Sequence, residues 1–141
     1  MARDMKIEQL AQVRMFSAFN KKELALIARA SDEVSVPAGK ELVQEGTPGH
    51  EFFLILSGEA SVRRNGRKIV TLGPGQYFGE LALLDRGPRT ATVVSETPME
   101  LLVLGQREFA GVLDEVPHLA HKLLTIMAAR VREADAKAFS H

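Results

Sequence analysis

Short apolar runs separated by glycine-containing turns fill the middle of this chain, from Asp32 to Leu104. Val34 and Val36 alternate with polar neighbours, as the side chains of a half-buried strand do. The pair Asn65-Gly66 follows another such run and is the strongest short signal of a β-hairpin. About eight runs of this kind, with no crossover helices between them, predict an antiparallel jelly roll or barrel. The fold class is therefore mainly β with flanking α.

Helical periodicity flanks the strands on both sides. Apolar residues at helical spacing predict one helix over residues 5–16, and Asn20 is placed to cap a second over residues 21–30. After the strands, residues 106–115 predict a third helix and Pro117 opens the last. We therefore expect a single domain, with N-terminal helices over 1–31, a β-barrel over 32–104 and C-terminal helices over 105–141.

Composition excludes several classes of function. The 141 residues include 18 basic and 18 acidic side chains and no cysteine. The absence of net charge argues against a nucleic-acid-binding surface, and the absence of cysteine excludes disulfides and zinc–thiolate sites. The apolar runs are too short to span a membrane and no signal segment is visible. We expect a cytoplasmic domain that by itself binds neither nucleic acid nor membrane.

Catalytic and metal-binding patterns are missing from the sequence. No nucleophile–base arrangement and no HExxH sequence occurs, so we do not expect an enzyme. His118 and His121 are one helical turn apart, but no nearby third ligand accompanies them. A solvated helix face explains the two histidines better than a metal site. We expect neither a metal ion nor a cofactor.

Residues 78–93, which read FGELALLDRGPRTATV, carry the chemistry of a binding site. Gly79 lets the backbone approach a ligand, and a helix beginning at Glu80 would leave amide groups free for an anion. Arg89 offers a planar fork of donors suited to two phosphate oxygens. The Glu80 carboxylate accepts hydrogen bonds only, which suits a sugar hydroxyl. Together these groups predict a pocket for a nucleotide sugar-phosphate.

This run resembles the phosphate-binding cassette of cyclic nucleotide-binding domains, found in catabolite-activator-type regulators, cyclic-nucleotide-dependent kinases and gated channels. It meets every fixed position of the pattern F-G-E-[LI]-[AS]-L-L-x(3)-P-R-x-A-[TS]-V. The resemblance, which extends from about Phe16 to Leu113, implies that the cyclic phosphate meets Arg89 and that Glu80 accepts the ribose 2′-hydroxyl. The ligand-binding residues that follow from it are Phe78, Gly79, Glu80, Leu81, Ala82, Arg89, Thr90 and Ala91.

Other interpretations stay open. Glu80 and Arg89 could form an ordinary surface ion pair, in a ligand-independent barrel that acts as a protein-interaction or dimerisation module. Catabolite-activator-type regulators carry a helix-turn-helix after the last helix, so the chain is either a free-standing sensor or the sensor fragment of a longer transcription regulator. Four phenylalanines are expected in the core rather than in a base-stacking platform: Phe52, Phe53, Phe78 and Phe109.

The resemblance also bears on the choice of nucleotide. Thr90 stands where cAMP-selective kinase domains carry alanine and cGMP-selective ones carry threonine. Channels that prefer cAMP also tolerate threonine there. The broader likeness to bacterial regulators favours cAMP over cGMP.

The last helix is expected to move when ligand binds, because related domains swing this helix over the base. Its only aromatic residue is Phe139, so Arg130 or Arg132 is the candidate to stack on the base. Apolar residues at spacings of 4, 3, 4, 3 and 4 form a seam that would pack either on the helix's own barrel or on a second copy in a homodimer. The seam consists of Ala120, Leu124, Met127, Val131, Ala134 and Ala138. The downstream effector is unknown.

Overall fold

Eight antiparallel strands and four α-helices make up the fold in a computed structural model, which describes residues 2–139. The strands are β1 Asp32–Val36, β2 Glu41–Val43, β3 Glu51–Ser57, β4 Ala60–Arg64, β5 Arg67–Leu72, β6 Tyr77–Phe78, β7 Thr92–Ser95 and β8 Met99–Gly105. The helices are α1 Ala2–Ala11, α2 Lys21–Ala30, α3 Gln106–Glu115 and α4 His118–Phe139. One sheet has the order β1-β8-β3-β6 and the other β2-β7-β4-β5. This arrangement is an eight-stranded jelly roll, which confirms the predicted fold class.

The central strands of sheet β1-β8-β3-β6 are buried on both faces, because their alternate side chains enter two different cores. Phe52 and Leu54 of β3 pack against the helices, whereas Phe53 and Ile55 face the space between the two sheets. Strand β8 divides its apolar side chains in the same way. Burial on both faces explains why β3 reads as a continuous apolar run and not as an alternating one.

The N-terminal helix is shorter than predicted. Helix α1 ends at Ala11, and a separate 3-10 turn covers Arg14–Phe16. Between them Val13 is extended, with φ −73° and ψ 122°. Val13 and Met15 are both buried, but in a continuous helix two residues that far apart would point in nearly opposite directions. The break at Val13 lets both side chains reach the core.

Helix α2 begins as the sequence predicts. The Asn20 side chain accepts a hydrogen bond from the Glu23 N–H, and the Glu23 carboxylate accepts one from the Asn20 N–H. This reciprocal capping box satisfies two backbone donors at the helix start.

The Asn65-Gly66 hairpin is also confirmed. Both residues have positive φ, 54° and 78°, as a type I′ turn requires. The turn joins β4 to β5, which lies at the edge of its sheet and is exposed along most of its length. Its register pairs Arg67 with Arg64 near the tip.

Helix α4 packs on the domain with one side and leaves the predicted seam largely uncovered. Leu119 and Leu123 are the buried residues of this helix. Leu124 and Val131, at the centre of the seam, are 67% and 60% exposed. The seam therefore does not pack on the helix's own barrel at these two positions.

Within residues 2–139, no helix has the length and apolar character that crossing a bilayer requires.

A buried carboxylate ties α4 to α2. Glu23 has only 7% of its side chain exposed, and its two oxygens meet His118 and Lys122, one turn apart on α4. Burial by itself would raise the pKa of the Glu23 carboxyl, but hydrogen bonds from Lys122, the Asn20 N–H and His118 lower it from 4.5 to about 2. A second ion pair, between Arg14 and Glu133, holds α4 further along its length.

Glu23→Gln should destabilise the fold in a pH-dependent way. Glutamine keeps the acceptor for the Asn20 N–H but loses the charge that the Lys122 ammonium and the His118 ring contact, so we expect a cost of about 1–3 kcal/mol near neutral pH. Because the folded pKa lies below the unfolded one, this stabilisation is complete above about pH 4.5 and is lost as the pH falls toward 2. Urea unfolding across this range measures the difference.

Glu33→Gln serves as the control, because Glu33 is half-exposed and forms a surface ion pair with Lys6. Such pairs contribute about 0–1 kcal/mol. An equal effect of both substitutions at every pH would contradict the role assigned to Glu23.

Candidate functional site

The predicted cassette begins at Phe78, the last residue of β6, and continues with Gly79 in the left-handed conformation, φ 81°. The short helix expected at Glu80 is a 3-10 turn of four residues, Glu80–Leu83. The N–H groups of Glu80 and Leu81 have no hydrogen-bond partner within residues 2–139, as is usual at the start of such a turn. The next strand, β7, begins at Thr92, so the last two residues of the cassette, Thr92 and Val93, belong to this strand.

A cavity of about 290 Å³ lies against this segment. This volume is at the lower end of the roughly 300–1,000 Å³ typical of small-molecule sites. Its lining consists of Gly79, Glu80, Leu81, Ala82, Asp85, Gly87, Pro88, Arg89 and Thr90. Most of the residues predicted from the sequence are therefore brought together around one cavity.

Two predicted site residues lie behind the lining. The Phe78 ring stacks on Phe53 with centroids 4.7 Å apart and planes 12° from parallel. Ala91 is 9% exposed. Neither residue is part of the cavity lining.

The backbone of Arg89 is fixed by the loop between β2 and β3. Its N–H donates to the Thr47 carbonyl oxygen and its own carbonyl oxygen accepts from the Gly46 N–H, each at 2.8 Å. An isolated β-bridge pairs Pro48 with Pro88 just beside them. The loop and the end of the cassette thus form a short antiparallel pair, which the sequence did not reveal.

The Arg89 side chain is half-buried and largely without protein partners. Its Nη2 donates to the Glu51 carbonyl oxygen at 2.8 Å, and its Cζ lies 5.9 Å from the centre of the Phe53 ring. Burial lowers the pKa of Arg89, an effect that the nearby Glu51 carboxylate partly offsets, and the guanidinium stays charged. No carboxylate oxygen lies within ion-pair distance among residues 2–139. Most of its donors remain available to an anion.

Glu80 is half-buried at the same cavity, and within the described part of the chain its carboxylate has neither an ion-pair partner nor a side-chain hydrogen bond. It is not paired with Arg89, so the surface ion pair considered for these two residues does not form. The cavity therefore offers an acceptor and a cation at separate points of one wall. That combination suits a ligand carrying both a hydroxyl and an anionic group.

Several residues at the site were not predicted. Glu51 and Gly49 contact or border the Arg89 side chain, and Asp85 lines the cavity. Arg64, near the β4–β5 turn, donates from Nε to the Thr90 carbonyl oxygen at 3.1 Å. The only sequence signal for the loop was the run of turn residues at 46–49, which indicates a loop but not what it touches.

The candidates for stacking on the base are not part of the cavity wall. Neither Arg130 nor Arg132 lines it. The contacts of α4 described above lead instead to α2 and to the turn at Arg14–Phe16. A capping role for either arginine remains a prediction.

Comparison with known proteins identifies the family of this domain. The family model described as the cyclic nucleotide-binding domain matches residues 33–116. The chain is 38% identical to the cAMP-dependent protein kinase regulatory subunit of Aspergillus niger over 115 residues, which are 80% of this chain and 28% of that subunit. It is 36% identical to the cyclic AMP receptor protein of Thermus thermophilus over 104 residues, 70% of this chain and 48% of that protein.

The chain thus spans between about a quarter and a half of the length of these curated relatives. Among solved structures, the N-terminal domain of a transcriptional regulator from Streptomyces coelicolor A3(2) matches with a TM-score of 0.85 at 32% identity, covering 94% of this chain and 96% of that one. The family match covers more than half of the chain and includes the whole cassette. The chain belongs to the cyclic nucleotide-binding domain family.

Proposed function

We propose that this domain binds a cyclic nucleotide in the cavity beside the cassette, with the cyclic phosphate on Arg89 and the ribose 2′-hydroxyl on Glu80. The observation that carries the proposal is the half-buried guanidinium of Arg89, which lines a cavity and lacks a carboxylate partner among residues 2–139. A cation kept partly from water without a counterion is costly unless an anion joins it. A phosphate is the anion whose geometry matches the guanidinium fork.

We propose cAMP as the ligand, ahead of cGMP. The kinase subunit and the receptor protein that the chain resembles are both named for cAMP. Thr90 lines the cavity and its hydroxyl could bond the amino group of guanine, so cGMP is the competing ligand. The proposed role is regulatory: the ligand would shift α4, and α4 would pass the signal to an effector.

A ligand-independent interaction module is the rival function. Its strongest support is the exposed seam of α4, where Leu124 and Val131 have no cover. A homodimer through this seam is compatible with either function. Titration with cAMP and cGMP separates the two, because the rival predicts no binding of either nucleotide.

Arg89→Ala should weaken cyclic nucleotide binding by about a hundredfold or more. Removing one partner of a buried charge-assisted contact costs on the order of 2–5 kcal/mol, and about 1.4 kcal/mol corresponds to tenfold in affinity. Arg89→Lys should also bind poorly, since a single ammonium cannot reproduce the guanidinium fork. Isothermal titration calorimetry with each nucleotide measures both variants.

Arg86→Ala is the matched control for Arg89→Ala. Arg86 lies in the same run, but it is exposed and bonds Gln106 outside the cavity. Normal binding by Arg89→Lys, or an equal loss in Arg86→Ala, would remove Arg89 as the phosphate ligand.

Thr90→Ala should leave cAMP affinity nearly unchanged if cAMP is the ligand. The hydroxyl can bond the guanine amino group, which adenine lacks at that position. Competition between cAMP and cGMP on the parent and variant proteins gives the selectivity of each. A large and selective loss of cGMP affinity would identify cGMP as the ligand instead.

Deletion from residue 130 onward should weaken nucleotide binding and abolish any dimer built on the seam. The deletion removes both candidate base-stacking arginines and the C-terminal part of the seam, so the two effects are measured separately, by calorimetry and by light scattering. Unchanged affinity and unchanged mass would mean that α4 neither covers the base nor dimerises.

Leu124→Glu and Ala129→Glu test whether a homodimer forms through the seam of α4. Leu124 lies on the seam, whereas Ala129 is exposed on the opposite side of the same helix. Only the first substitution should lower the mass of a seam dimer.

A further inference from the structure

We infer that Gly49 is a positioning residue for Arg89: its missing side chain provides the space in which the guanidinium group lies. A Cβ atom at Gly49 would be 2.7 Å from Nε, 2.8 Å from Cζ and 3.1 Å from Cδ of Arg89. These three atoms are the nearest neighbours of that position, and all belong to one side chain. The role in ligand binding rests on the function proposed above.

A second glycine closes the other side of this space. A Cβ atom at Gly79 would lie 2.5 Å from Nη1 of Arg89 and 2.7 Å from the Glu51 carbonyl oxygen. The guanidinium group therefore occupies a slot between two backbone segments, the β2–β3 loop and the start of the cassette. We call this space the arginine slot, bounded by Gly49 and Gly79.

The two glycines differ in what requires them. Gly79 has φ 81°, a conformation that other residues adopt only under strain, so its backbone alone favours glycine. Gly49 is not among the described glycines with positive φ. Any residue could adopt its backbone conformation, and the nearest atoms that a larger residue would meet are those of the Arg89 side chain.

The slot matters because a long side chain has many rotamers. An exposed arginine would populate several of them, and a ligand would have to select one at a cost in entropy. In the slot, Arg89 is fixed with its Nη2 on the Glu51 carbonyl oxygen. A methyl group at Gly49 would push the guanidinium away from this bond, and the flexible end of the side chain could move without disrupting the fold.

Gly49→Ala tests the inference, with Gly73→Ala as the control. A Cβ atom at Gly73 meets nothing within 4 Å, and Gly73 is likewise absent from the positive-φ glycines. We expect Gly49→Ala to weaken cAMP binding by about tenfold or more, which is ~1.4 kcal/mol. Gly73→Ala should bind normally, and both variants should keep the parent's melting temperature within a few degrees.

A double-mutant cycle with Arg89→Ala shows whether the effect passes through the arginine. In the Arg89→Ala background, adding Gly49→Ala should change the remaining affinity by less than about twofold, since the displaced group is already gone. Wild-type affinity in Gly49→Ala, or an equal loss in both backgrounds, would overturn the inference.

A measurement without ligand keeps this inference separate from the proposed function. The Nε–Hε resonance of Arg89, assigned by its absence in Arg89→Ala, reports the position of the side chain. It should shift in Gly49→Ala and stay in place in Gly73→Ala. If the parent protein binds no cyclic nucleotide, the proposed function fails, whereas an unshifted Nε–Hε resonance in Gly49→Ala would contradict the slot.

Discussion

Two backbone hydrogen bonds between Arg89 and the loop at Gly46–Thr47 hold the binding segment in place. The segment itself has little regular structure, since between the end of β6 at Phe78 and the start of β7 at Thr92 it contains a four-residue 3-10 turn. The few hydrogen bonds within so short an element cannot by themselves define a rigid site. Its geometry therefore depends on a loop that is distant in sequence, and the jelly roll brings the two together because β2 pairs with β7 in one sheet.

The same loop supplies the surroundings of the Arg89 side chain. Gly49 leaves room for it, and the Glu51 carbonyl oxygen at the start of β3 accepts its hydrogen bond. Phe53, two residues further, lies under the guanidinium and stacks on Phe78. Because β3 lies between β8 and β6 and contributes to both cores, these contacts rest on one of the most buried parts of the molecule. The Arg89 side chain thus lies at the surface but is supported by a buried strand.

Local signals were sufficient for most elements and for the wall of the cavity. The Asn20 cap and the Asn65-Gly66 turn were predictable because each depends on residues only a few positions apart. Glu80 and Arg89 were predictable because both lie in one short run whose residue types indicate a site for a hydroxyl and a phosphate. The break at Val13 was not predictable from local signals, because it depends on which side chains are buried in the core.

Contacts between residues distant in sequence were not predictable either. Asn20 was predictable as a helix cap, but the contacts of the Glu23 carboxylate with Lys122 and His118 of α4 were not. Gly49 lies in a run of turn residues, yet the three atoms nearest to a Cβ placed there all belong to Arg89. In both cases one residue serves a local and a tertiary purpose, and sequence spacing reports only the first.

The exposed edge strand β5 has a consequence for how copies of this protein behave in solution. It is the longest of the four edge strands, and Ile69 and Val70 are about half exposed on it. A chain without net charge has no overall repulsion to keep its copies apart. Like charges at the paired positions Arg64 and Arg67 weaken the hairpin slightly, but Arg67, which lies on the edge strand itself, repels the same edge of another molecule. A little local stability is thus exchanged for resistance to edge-to-edge aggregation.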